Sequence, residues 1–143
     1  MEASSEIQQR NLEITRRGFD AYNRGDLEAL IEILHPDVEL HADQELVNGG
    51  DFRGHDGYIR WNAEWTEAWE EFTIDLRAVD PIGGRYILAD THQAGRGAGS
   101  GIEVEMAAYW VFEVADGQVI RMHLYASRER ALAAIERWRA DAR

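Results

Sequence analysis

Asp90 and His92 are the residues of this chain whose types and spacing best suit proton transfer. They stand two apart in a run, 85–94, that reads as a β-strand, so both side chains project to one face roughly 7 Å apart. Tyr86 and Leu88 share that face, and an acid among such neighbours needs a partner or keeps its proton. His92 would titrate near neutral pH and serve as the base, with Asp90 orienting it or deprotonating substrate itself. Tyr109, in the next strand, has a hydroxyl to donate to a developing oxyanion. The same pair fits a plainer reading, in which the face is solvated or Asp90 pairs with an arginine across a subunit interface. His123 alternates with Met122 and Leu124, which would put it on the outer sheet face with Arg121 and Tyr125, an interface or a solvated surface.

Other chemistries are excluded by what the chain lacks. All 15 basic residues are arginine, so Schiff bases and Walker-type phosphate loops have no amine to work with. There is no cysteine, which removes thiolate nucleophiles, disulfides and cysteine zinc sites. The glycine-rich run 95–101, GRGAGSG, has neither the GxGxxG spacing nor a following helix and reads as a hairpin loop. Gly99-Ser100-Gly101 is no nucleophile elbow, because its flanks are Ala98 and Ile102. His41 with Asp43, or His35 with Asp37, offers donor atoms, but neither finds a third ligand at helical spacing and no HExxH occurs. The sequence therefore predicts no metal site and no cofactor.

The net charge of −12 falls mostly in the first half, where residues 1–71 hold 17 acids against 6 arginines. Such a surface repels phosphate backbones and anionic lipid, which argues against nucleic-acid and membrane partners. The start MEASSEIQQR is polar and nothing approaches 18 consecutive apolar residues, so a cytoplasmic protein without a leader or membrane span is expected.

Stepping outward to the elements, 143 residues make one domain, 1–143. A helix is expected over 6–24, capped by Ser5 with Gln8 and stopped by Gly25. Asp26 caps a second helix carrying Leu27, Leu30, Ile31 and Leu34, which Pro36 ends. A strand over 37–42, a loop over 43–56 and a third helix over 56–71 follow, the last striped by Tyr58, Trp61, Trp65, Ala68 and Phe72. Four strands come next, at 72–79, 85–94, 102–114 and 118–126, with Asp116-Gly117 in the last hairpin. Ser127 caps a final helix bearing Ala131, Leu132, Ile135 and Trp138. Segregated helices and hairpins imply an α+β fold: a curved antiparallel β-sheet wrapped around the three helices of the N-terminal half, plus a C-terminal helix. A sheet curled in that way leaves a conical pocket. Five Trp, five Tyr and four Phe are enough to wall it, and we expect Phe19, Tyr22, Tyr58, Trp61, Trp65, Met106, Trp110 and Met122 around an apolar or polycyclic small molecule.

Several short runs carry a family resemblance: Asn23-Arg24-Gly25-Asp26, His35-Pro36-Asp37-Val38, Phe52-Arg53-Gly54-His55-Asp56-Gly57, Asp116-Gly117-Gln118-Val119, and the stretch from Tyr125 through Leu132. In this order, over about residues 9–136, the chain resembles the SnoaL-like polyketide cyclase branch of the nuclear transport factor 2-like superfamily. The resemblance implies a cone-shaped sheet on helices and a homodimer through the outer sheet face. It also implies relatives that cyclise, isomerise, open epoxides, dehydrate or only bind. Two carboxylate positions of those enzymes are apolar here: Ala42 stands where isomerases hold the proton-abstracting Asp, and Leu124 where cyclases and epoxide hydrolases bring one from the last strand. Three readings stay open: a metal-independent acid–base enzyme working through Asp90, His92 and Tyr109, a binding module for a lipophilic metabolite, and a dimeric scaffold.

Overall fold

The structure is a computed structural model that describes residues 2–42 and 50–141. α1 (Glu2–Arg24) and α2 (Leu27–Ile33) meet at Gly25-Asp26. Gly25 takes a φ of 72°, while Gly25 N–H donates to Tyr22 at 3.0 Å and Asp26 N–H to Ala21 at 2.9 Å. That bond pair ends a helix at a left-handed residue. The Asp26 carboxylate then accepts from Ala29 N–H at 3.1 Å and starts α2. The expected Ser5 cap does not arise, because α1 already runs through Ser5; Gln8 instead donates to the Gly83 carbonyl at 2.9 Å.

α2 passes directly into β1 (Leu34–Ala42), which begins before the expected strand and contains Pro36. The register of β1 against its neighbour slips between Leu34 and Glu39, and this irregularity accommodates a residue without an N–H. β2 (Gly50–Arg53) is a short edge strand inside the expected loop, whose part at 43–49 lies outside the described residues. α3 (Gly54–Glu67) is shorter than its apolar stripe suggested, since Trp69 opens β3 (Trp69–Ile82).

The reason lies in β4 (Tyr86–Gly97), which continues through Gly95 to pair Trp69 with Gly97, so only the end of the glycine-rich run turns. A Cβ on Gly95 would lie 2.7 Å from the Phe72 ring and 2.8 Å from the Trp69 ring. This glycine is thus needed for close approach, whatever it contributes to flexibility. Gly95→Ala should cost about 1–2 kcal/mol by overpacking, read as a lower midpoint in thermal melts. An unchanged midpoint would show that the rings are free to move aside.

β5 (Glu103–Ala115) and β6 (Gln118–Tyr125) form a two-residue hairpin in which Asp116 and Gly117 have φ of 51° and 79°. α4 (Arg128–Asp141) follows, with Ser127 Oγ accepting from Arg130 N–H at 3.2 Å. The six strands make one curved, unclosed sheet in the order β2-β1-β6-β5-β4-β3. Every pairing is antiparallel except β1 with β6, which is parallel and departs from the expected all-antiparallel sheet.

The sheet has an apolar layer on each face. On the inner face Ile87, Ala89, Ala108, Trp110, Phe112, Met122 and Leu124 pack against α1, α2 and α3. On the outer face Tyr86, Leu88, Val111 and Tyr125 pack beneath Ala131, Ala134, Ile135 and Trp138 of α4. The result is an α+β cone with three helices inside and the C-terminal helix outside. Among the described residues, no helix is long and apolar enough to cross a membrane.

Candidate functional site

The inner face encloses a cavity. α1 contributes Ile14, Thr15, Gly18, Phe19 and Tyr22, a stripe at helical spacing. α3 contributes Tyr58 and Trp61, and the sheet contributes Ile74, Trp110, Phe112, Val119 and Met122. The volume open to the centre of a water-sized sphere is about 50 Å³. That is room for roughly four waters or one small ring, and less than the polycyclic guest the aromatic count suggested. Tyr22 and Leu30 also border an outer cleft with Asn23, Leu27, Asn62 and Trp69, so cavity and cleft adjoin at these two side chains.

The walls are held by ring-to-ring contacts. Phe112 stacks on Trp110 at 5.7 Å and 8°, while Phe19 and Trp61 meet Trp110 edge-on at 6.0 and 6.1 Å. Such geometries suit the quadrupoles of aromatic rings and fix their orientations. The polar atoms are few. Burial pushes the Tyr22 phenol up to about 12, partly offset by a hydrogen bond from the Trp65 indole. Burial, with Tyr22 nearby, raises Tyr58 further still. Both phenols therefore stay protonated at neutral pH and can donate. The Trp110 indole N–H is buried and has no acceptor among the described residues. The lining holds, among the described residues, no carboxylate, imidazole or guanidinium.

Of the residues expected at the pocket, Phe19, Tyr22, Tyr58, Trp61, Trp110 and Met122 line this cavity. Trp65 stands behind it and acts on Tyr22. Met106 lies half-buried on β5, away from the lining, and Ile102 nearby is 64% exposed. Residues that sequence reasoning missed include Thr15, Gly18 and Leu30; the spacing of 14, 15, 18, 19 and 22 on α1 was the available signal.

Asp90, His92 and Tyr109 lie together, but on the outer face. Asp90 and Tyr109 are cross-strand partners on β4 and β5. The Arg128 Nε of α4 stands 3.5 Å from Asp90, and Glu105 stands 3.8 Å from His92. The inner positions of β4 belong to Thr91 and Gln93, both buried; the Thr91 hydroxyl donates to the Ala108 carbonyl at 2.7 Å. Tyr86 and Leu88, the apolar neighbours on the outer face, are apolar because α4 covers them.

A second polar cluster also occupies the outer face. His41 Nδ1 hydrogen-bonds the Asp51 carboxylate, and the His41 and His123 rings lie 4.9 Å apart. His123 Nδ1 meets the Tyr125 hydroxyl at 2.9 Å, and its ring lies edge-on to Trp138 at 4.6 Å. Burial, reinforced by the nearby His41 and Arg121, lowers the His123 pKa to about 3.

The fold recurs widely. A protein from Jannaschia sp. CCS1 assigned as a SnoaL-like polyketide cyclase is 22% identical, with 90% of this chain and 93% of that one covered and a TM-score of 0.75. TerC, crystallised with polyporic acid, is 18% identical over 89% of this chain and 98% of its own, with a TM-score of 0.74. A protein with a ketosteroid isomerase-like fold from Catenulispora acidiphila DSM 44928, in complex with trimethylamine, is 15% identical over 85% and 90%, with a TM-score of 0.71. No curated protein matches by sequence. The model of the SnoaL-like domain matches residues 15–122, from the cavity stripe of α1 to Met122 of β6, and the chain belongs to that family.

Proposed function

We propose that this protein binds a compact, mainly apolar molecule in the inner cavity, and that the lining residues hold the guest without transforming it. The observation that carries this reading is the lining itself. Acid–base catalysis at neutral pH is most effective with a group titrating near 7 within reach of the guest. The wall is almost wholly aliphatic and aromatic carbon instead. Such a wall favours a hydrocarbon-like guest whose affinity comes from apolar burial and contact with the rings. TerC with polyporic acid and the Catenulispora protein with trimethylamine are solved proteins of this fold seen with small organic molecules, which supports the reading.

Because Trp61 and Trp110 border the cavity, tryptophan fluorescence reports its occupation. Titration with monocyclic compounds graded in size should show saturable changes for single rings and none for fused three-ring compounds. Val119→Phe, which pushes a ring into the space, should weaken binding at least tenfold while circular dichroism stays unchanged. A panel that never saturates, or equal affinity in Val119→Phe, would remove the proposal.

An acid–base enzyme reading rests on Asp90, His92 and Tyr109, on the other side of the sheet. Asp90→Asn and His92→Ala should therefore leave guest affinity within about twofold of the wild type. Loss of affinity in either variant would tie those residues to the cavity.

A further inference from the structure

The outer-face pair His41 and His123 stands 82 positions apart in sequence and side by side in the fold. The two are register partners on the parallel strands β1 and β6, with ring planes tilted 43° to each other. Each Nδ1 is engaged, His41 by the Asp51 carboxylate and His123 by the Tyr125 hydroxyl. A histidine whose Nδ1–H is held by a carboxylate presents its Nε2 lone pair outward, the second-shell arrangement that surrounds ligating imidazoles. The Tyr125 phenol can accept from Nδ1–H in the same way. The pair borders a surface cleft with Glu39, Asp51 and Arg53. Arg121 and Arg137 both lie close enough to His123 to act on it by charge, but Arg121 is itself paired, with its Nε 3.2 Å from Glu113 and its guanidinium 4.3 Å over Trp138.

We propose that the Nε2 atoms of His41 and His123 together hold a borderline divalent transition-metal ion, of the zinc or copper kind, across the β1–β6 junction. Two imidazoles bound through Nε2 to one tetrahedral ion, with metal–nitrogen bonds of about 2.0–2.1 Å, place their ring centroids roughly 5 Å apart, which the 4.9 Å separation here matches. No group of three His, Asp or Glu among the described residues can hold a metal ion. Water or an outside donor thus completes the coordination, and Asp51 acts as a positioning residue behind His41. Such an ion would pin the β2–β1 edge to the rest of the sheet. Imidazole donors suit zinc and copper better than the hard cations calcium and magnesium.

Untagged protein stripped with EDTA and dialysed is titrated with Zn²⁺ by calorimetry and with Cu²⁺ by electron paramagnetic resonance. The expected result is one saturable Zn²⁺ per chain, two coordinating nitrogens in the Cu²⁺ spectrum and a Zn²⁺-dependent rise in thermal midpoint. His41→Ala, at a half-exposed position, should weaken Zn²⁺ at least tenfold and remove the midpoint rise. Asp51→Asn, with both imidazoles kept, should weaken it about 10–100-fold. His92→Ala should bind as the wild type does. Absence of a saturable site, or wild-type affinity in His41→Ala, overturns the proposal.

Discussion

Asn23→Ala is expected to cost about 1–3 kcal/mol of stability, a drop of roughly 4–10 °C in thermal midpoint. The Asn23 amide closes on the backbone of a single residue in β3. Its Nδ2 donates to the Ile74 carbonyl at 2.8 Å, and its Oδ1 accepts from Ile74 N–H at 2.9 Å. β3 is an edge strand and Ile74 is 5% exposed, but Asn23 itself is exposed at the outer cleft, so water can replace part of what the amide supplies. Alanine removes two hydrogen bonds and leaves a part-buried donor and acceptor without protein partners. Ile74 also lines the cavity, so guest binding should weaken alongside. Urea unfolding of the two proteins measures the difference, and a loss below about 1 kcal/mol would mean that water satisfies the strand edge.

The second large effect is a pH dependence carried by His123. Its pKa of about 3 in the fold lies below the usual 6.5, so the unfolded chain binds the proton first as pH falls. Its stabilising contribution is complete above pH 6.5 and is lost progressively as pH drops toward 3. Two pH units below 6.5, at pH 4.5, the full linkage would be near 2.7 kcal/mol, and partial solvent contact brings it to about 2 kcal/mol. Urea unfolding of metal-free wild type and His123→Gln at pH 7 and pH 4.5 isolates this share, because the many carboxylates are common to both. Equal losses in the two proteins would mean that His123 protonates without penalty.

What the sequence revealed was mostly short-range. Gly25-Asp26, Asp116-Gly117 and Ser127 are turn and cap residues whose preferences act within a few positions, and each performs that role. The Tyr58 and Trp61 stripe follows the helical period and reaches the cavity. Trp69 fits two periods, the α3 stripe and a strand, and pairing with Gly97 decided for the strand. In β4 the run Tyr86-Ile87-Leu88-Ala89 is buried throughout, since α4 covers one face and the inner helices abut the other. Alternation then carries no sidedness, which is why Asp90 and His92 could not be assigned to a face. The approach of His41 to His123 depends on a parallel pairing that no local signal encodes.

That parallel pairing also sets the order in which the domain can be completed during synthesis. Val119 and Met122, two walls of the cavity, lie on the strand that β1 must wait for. While the nascent chain still lacks β6, Val38 and Leu40 have no lateral neighbour on that side and their apolar surface stays open to other chains. A ribosome therefore has to deliver most of this polypeptide before the chamber can seal.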